Sequence, residues 1–165
     1  MWRGHTRQGR GSSASISYTL DANLERLSLE GSDDLDGTGN GMANRLDGNA
    51  GANTLDGGAG ADSIEGGLGA DVFLFGSATE ADGDVIADFN VAAGDRIDLR
   101  RIDPDSSLLG NQSFTWIGGA DFGEVVGELR FASGVLEGDL DGDGGADFQV
   151  TLTGIATLTA TDLWL

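Results

Sequence analysis

Gly57-Gly58-Ala59-Gly60-Ala61-Asp62-Ser63-Ile64-Glu65 is followed without a gap by Gly66-Gly67-Leu68-Gly69-Ala70-Asp71-Val72-Phe73-Leu74, two nine-residue units in one register. Two earlier units, residues 39–47 and 48–56, keep that register. Position 1 is Gly39, Gly48, Gly57 and Gly66, position 6 is Asn44, Asn53, Asp62 and Asp71, and position 8 is Leu46, Leu55, Ile64 and Phe73. One large apolar residue in nine makes neither a helical stripe nor a long strand. It fits a three-residue strand followed by a six-residue turn, with two units closing one coil.

The last two units match G-G-x-G-x-D-x-U-x, the nonapeptide of calcium-binding parallel β-helices. Glycine permits backbone conformations with φ > 0 that turn carbonyls toward a common centre, while the position-6 carboxylate supplies formal charge. Stacked coils bring equivalent turns to about 4.8 Å, so a cation can sit between unit n and unit n+2. Units one and three should then share one edge of the stack, and units two and four the other. Oxygen-only ligation at flexible turns favours calcium over zinc, which takes N and S donors, and over magnesium, which demands a stricter octahedron. Asp62 and Asp71 are the foremost predicted ligands, with the backbone carbonyls of Gly57, Gly58, Gly60, Gly66, Gly67 and Gly69 beside them. Asn44 and Asn53 offer an amide oxygen without charge, and Met42 stands where unit one should have a turn glycine, so weaker sites are expected there. The competing reading of the same residues is a set of tight turns whose Asp side chains cap backbone N–H groups without metal.

Composition agrees with cation binding. The chain has 165 residues, with 28 Asp+Glu against nine Arg, no Lys, no Cys and 29 Gly, for a net charge of −19. Arg3, Arg7 and Arg10 all precede the first acid, Asp21, leaving 28 acids against six Arg from there on. Such a body repels itself unless positive charge is supplied, and it repels nucleic acid and anionic membrane surfaces. The length can bury a real core, 39% of residues are hydrophobic, and a single Pro argues against a collagen-like or linker origin for the glycine. The missing cysteines exclude disulfide scaffolds and thiol chemistry. No segment reaches the roughly 18 apolar residues of a membrane span, and the basic N-terminus is not followed by the apolar stretch of a cleaved signal.

Outward from the repeats, Ser17-Tyr18-Thr19-Leu20, Asn23 through Gly31 and Gly37-Thr38-Gly39-Asn40 look like a degenerate leading coil. Asp84-Val85-Ile86-Ala87-Asp88-Phe89 and Gly94-Asp95-Arg96-Ile97-Asp98-Leu99 follow the repeats, and a closing stretch runs from Phe114-Thr115-Trp116-Ile117-Gly118 to Leu165. Together with the nonapeptides, these segments resemble the RTX (repeats-in-toxin) calcium-binding family, and in particular the serralysin-type C-terminal module. The resemblance covers about residues 17–165 and implies an all-β fold, a right-handed parallel β-roll with several Ca2+ ions in its turns, capped by a C-terminal antiparallel β region. It also implies export through a type I secretion channel using an uncleaved C-terminal signal, for which Thr161-Asp162-Leu163-Trp164-Leu165 is the candidate. One of Asp84 and Asp88 is expected to cap a final calcium site; otherwise the two flank a strand that sends Ile86 and Phe89 into the core. Asp95 and Asp98 read as a turn and a strand edge. The expected organisation is a basic, disordered tail over 1–15, a degenerate coil over 16–38, repeats over 39–76 and the cap and secretion region over 77–165.

A second acidic loop, Gly138-Asp139-Leu140-Asp141-Gly142-Asp143-Gly144-Gly145-Ala146-Asp147-Phe148, copies the first half of an EF-hand loop. Asp139, Asp141 and Asp143 are its candidate ligands, but Val150 stands where the bidentate Glu belongs, so an acidic hairpin loop is the alternative. Phe73, Phe75, Phe89, Phe114, Trp116, Phe122, Phe131 and Phe148 are the expected core. The one His, at position 5, and the lack of H-E-x-x-H or a nucleophile motif leave no catalytic constellation, so no enzyme activity is expected. The expected function is a secreted bacterial module that folds on binding extracellular calcium. Its partners would be a type I exporter, transiently, and an N-terminal catalytic domain in a longer parent, such as a secreted metalloprotease-like enzyme. A carbohydrate-binding or enzyme-assisting roll and a small adhesive surface protein are the alternatives; the first would need a stripe of exposed aromatics.

Overall fold

The computed structural model describes residues 10–165. The first five odd-numbered strands stack into one sheet: β1 (Gly11–Ala14), β3 (Arg26–Leu29), β5 (Arg45–Asp47), β7 (Ser63–Glu65) and β9 (Asp84–Ile86). The even-numbered β2 (Tyr18–Thr19), β4 (Asp36–Asn40), β6 (Thr54–Gly58) and β8 (Val72–Leu74) stack into a second sheet, continued by β10 (Arg96–Asp98). All of these neighbours pair in parallel, so the chain alternates between the sheets and advances one strand per coil. This is the parallel β-roll expected from the repeats, and its pitch is the predicted pair of units: Leu46 stands over Ile64 and Leu55 over Phe73, each partner lying two nonapeptides further along the chain.

Each strand turns its position-8 residue inward. Leu27, Leu46, Ile64 and Ile86 form one column on the first sheet, facing Leu55, Phe73 and Ile97 on the second, and all are 0% exposed. The leading coil lacks a large residue at one of these places. Gly37 sits above Leu55, and a Cβ there would meet the Leu55 and Leu27 side chains at 3.0 and 3.1 Å, so neighbouring leucines fill the gap.

Beyond β8 the pitch lengthens. A one-turn helix, α1 (Ala78–Ala81), is capped by Ser77, whose Oγ accepts from the Glu80 N–H at 3.2 Å. Ile64 consequently pairs with Ile86 and Phe73 with Ile97, each partner further along the chain than two nonapeptides would reach. The remaining chain then adds β11 (Thr115–Gly118), β12 (Glu128–Ala132), β13 (Val135–Asp139) and β14 (Phe148–Leu152). β12, β13 and β14 form the antiparallel meander expected of the cap. It is not a separate layer, because β14 pairs in parallel with β9 and prolongs the first sheet. The chain crosses back last: a 3-10 turn at Ala160–Asp162 leads into β15 (Leu163–Trp164), which pairs with β10 and ends the second sheet.

Two sequence expectations require correction. The tail expected over 1–15 reaches too far: residues 1–9 lie outside the described residues, but Gly11–Ala14 is strand β1. Its small residues gave no hydrophobic signal, yet they allow close pairing with β3, where a Cβ on Gly11 would stand 3.3 Å from that of Arg26. Among the expected core aromatics, Phe73, Phe75, Phe89, Phe114, Phe131 and Phe148 are buried, but Trp116 and Phe122 are only partly covered. Phe122 lies in a loop, and the Arg130 guanidinium stacks over its ring at 4.4 Å.

Candidate metal centre along the two edges of the roll

The turns joining the sheets stack along two edges, and the position-6 residues form a ladder on each. On one edge Asp84 Oδ1 accepts from the Asp62 N–H at 2.7 Å, and Asp62 Oδ1 accepts from the Asn44 N–H at 2.6 Å. On the other, Asp95 Oδ1 accepts from the Asp71 N–H at 3.0 Å and Asp71 Oδ1 from the Asn53 N–H at 2.8 Å. Units one and three share an edge, as do units two and four. Each of these carboxylates satisfies the backbone one coil earlier through Oδ1. Asp62 Oδ2, Asp71 Oδ2 and Asp84 Oδ2 are buried with no hydrogen-bond partner.

A buried carboxylate oxygen without a donor is costly unless it is protonated or bound to a cation. Burial is the main cause that pushes Asp62 up to about 6, Asp71 to about 7 and Asp84 to about 8. It also raises Asp95, against the opposing help of the Asp71 and Asn90 N–H groups. Position-1 glycines make room for the free oxygens: a Cβ on Gly57 would collide with Asp62 Oδ2, and one on Gly66 with Asp71 Oδ2. At Gly60 φ is +128°, and a Cβ would stand 2.7 Å from the Met42 carbonyl of the previous coil on the same edge. Hard oxygen donors, some charged and some from the backbone, make a set suited to calcium, and the orphaned carboxylate oxygens fit such an ion. An open groove of about 780 Å³, lined by Glu25, Arg26, Asn44, Arg45, Asp62 and Ser63 among others, reaches the first edge from solvent.

The other sequence candidates divide. Gly58, Gly60, Gly67 and Gly69 have positive φ, whereas Gly57 and Gly66, already placed against the free aspartate oxygens, do not. Asp84 continues the first ladder, whereas both oxygens of Asp88 are taken by the Gly66 and Gly67 N–H groups at 2.8 and 2.9 Å. Asp95, read from sequence as an ordinary turn residue, is a rung of the second ladder; the lengthened pitch between β8 and β10 placed it outside the nonapeptide register. Asp98 instead pairs with Arg100, which holds its carboxyl below the ordinary range.

Asn44 and Asn53 use both ends of their amides on the backbone. Asn44 Oδ1 accepts from the Asn40 N–H at 2.7 Å and its Nδ2 donates to the Leu24 carbonyl at 3.2 Å. Asn53 does the same with the Asn49 N–H and the Leu35 carbonyl, at 2.8 and 3.1 Å.

In the acidic hairpin loop between β13 and β14, carboxylate oxygens of Asp139, Asp141 and Asp147 lie within 4.8 Å of one another. Asp143, the sequence candidate, is not in that group; its Oδ1 accepts from the Gly145 N–H. Buried Asp139 is satisfied by the N–H groups of Asp141, Gly142 and Gly144, the arrangement of a capped acidic turn. At the end of the chain, Asp162 is buried and accepts from the Thr159 N–H at 2.9 Å, Leu163 packs inward, and Trp164 stays 39% exposed with Arg100 4.7 Å over its ring. Trp116 and Trp164 belong to different sheets, so they form no common aromatic stripe.

Residues 38–73 match the RTX calcium-binding nonapeptide repeat in four copies. No curated protein sequence matches the chain significantly. Among solved structures, the chain is similar to the AlgE6R3 subunit of the Azotobacter vinelandii mannuronan C5-epimerase, with 26% identity and a TM-score of 0.46 over 95% of this chain and 80% of that one. The repeat register, the stacked turns and the four matched copies agree: residues 38–73 carry four RTX calcium-binding nonapeptide repeats.

Proposed function

We propose that this protein is a calcium-dependent folding module, exported in an expanded state and closed into its roll by extracellular calcium. The observation that carries this reading is the set of buried, partnerless oxygens on Asp62, Asp71 and Asp84, repeated in register along the roll edges. Asp62, Asp71 and Asp84 would hold the ions together with turn carbonyls of the glycine units. Calcium supplies the positive charge that these carboxylates lack. Without it, ionised Asp62, Asp71 and Asp84 oppose closure of the coils, because each must be buried as its neighbour stacks. Binding free energy therefore becomes folding free energy. An acidic body with no Lys suits a chain kept expanded where calcium is scarce and transferred through a type I exporter. In a longer parent the roll would support the folding of an attached secreted enzyme.

A calcium titration followed by far-UV circular dichroism and limited proteolysis, with magnesium as the control, tests the reading. Strand signal and protease resistance should rise together at calcium of about 10⁻⁴–10⁻³ M, the range of extracellular modules. Identical signals in chelator and in millimolar calcium would reject it.

A further inference from the structure

The two turns of the leading repeat coil are closed differently from those that follow. Asn40, at position 2 of unit one, donates through Nδ2 to the carbonyls of Asp21 and Leu24 at 2.9 and 2.8 Å. Asn49, at position 2 of unit two, donates to the carbonyls of Glu30 and Asp33 at 3.2 and 3.1 Å. Their Oδ1 atoms accept from the Met42 and Gly51 N–H groups, so each side chain bridges its own turn to the turn one coil earlier. Units three and four have Gly58 and Gly67 at the same position, with no side chain to make that bridge. The backbone changes with it. Gly58, Gly60, Gly67 and Gly69 all have positive φ, whereas no residue from 39 to 53 does.

We infer that no ion bridges the turns of units one and two to the coil before them, because the side-chain amides of Asn40 and Asn49 take the inter-coil carbonyls that a cation there would need. The amide does neutrally what calcium does with charge: its N–H donors tie one turn to the carbonyls of the coil before it. Position 6 changes in step. Asn44 and Asn53 each have an NH2 that donates to a carbonyl of the preceding coil, where Asp62 and Asp71 have an oxygen with no partner. Neither a positive ion nor a carboxylate is needed on a coil held this way. The leading coil is thus a metal-independent platform, and ion-bridged turns begin at Gly57 and Gly66. This inference rests on the calcium reading above only for the later turns.

The second edge provides the test, since Gly51 already matches Gly69 there. Asn49→Gly combined with Asn53→Asp copies the unit-four turn into unit two. Bound calcium, counted by equilibrium dialysis at saturation, should rise by one ion per chain relative to the starting protein; a folded variant with an unchanged or lower count would overturn the inference. Should that variant fail to fold, hydrogen exchange of the Asn40 and Asn49 side-chain NH2 groups in the calcium-saturated, unsubstituted protein decides the matter. Exchange slowed by roughly tenfold or more against a free amide supports the lock, and free exchange rejects it. The failure of the calcium reading itself would look different: the unsubstituted protein would bind no ions at all.

Discussion

Asp62 accepts the Asn44 backbone N–H at 2.6 Å through Oδ1 and leaves Oδ2 buried without a donor. One side chain therefore has two separate duties. The first oxygen joins successive coils, and the second awaits positive charge.

Asp62→Asn separates these duties, because an amide oxygen can still accept from Asn44 while the formal charge is lost. The calcium midpoint of folding should rise by roughly tenfold or more, and Asp62→Ala should raise it further by also leaving the Asn44 N–H unpaired. Titration by circular dichroism compares the two; equal midpoints for Asp62→Asn and the unsubstituted protein would remove Asp62 from the ligand set.

Gly57→Ala tests the same centre sterically. The added methyl would collide with Asp62 Oδ2 while changing no charge and no titratable group. Calorimetric calcium titration should show weakened binding on that edge, with the Asp71 edge retained. Gly41→Ala is the control, since a Cβ there meets nothing within 4 Å.

Protons and calcium should compete. Burial raises Asp62, Asp71 and Asp84 to about 6, 7 and 8 in the folded chain, against about 3.9 when unfolded. For a raised acid the folded state holds the proton more tightly, so its contribution to stability is complete below the unfolded value and is lost as pH climbs through the folded values. In chelator, strand signal by circular dichroism should be greatest at low pH and fall between pH 6 and pH 8. Calcium titrations at those pH values should show tighter apparent binding at the higher one, since fewer protons must be displaced.

The core column makes the coils interdependent. Ile64 is fully buried between Leu46 and Ile86, and Ile64→Ala should cost about 2–5 kcal/mol in the calcium-loaded protein. Chemical denaturation measures it, and a loss below about 1 kcal/mol would contradict the packing described.

β15 is the last rung of the second sheet, and Leu163 pairs with Ile97 there. Leu163→Ala should destabilise by about 2 kcal/mol, lowering the melting temperature by roughly 4–8 °C in a chain of this size. Trp164→Ala, which removes a half-exposed ring under Arg100, should cost less.

The sequence by itself determined the period, the two-sheet roll and the residues that face its core. Those follow from backbone geometry: one strand spacing per coil and one inward residue per strand leave little choice once the nine-residue register is strict. The same register put Asp62 and Asp71 on opposite edges. It could not reach Asp95, because α1 and the longer turns stretch the pitch past two nonapeptides, first on one sheet and then further on the other. Only folding shows which aspartate arrives beneath the ladder. Nor could spacing tell Asp147 from Asp143 in the acidic hairpin, where loop curvature selects the neighbours. The difference between Asn and Asp at position 6 was plain in the letters. What the tertiary structure decided is its meaning, since an amide that both accepts and donates closes a turn on the coil before it, whereas a carboxylate can only accept and so keeps one oxygen free for a cation.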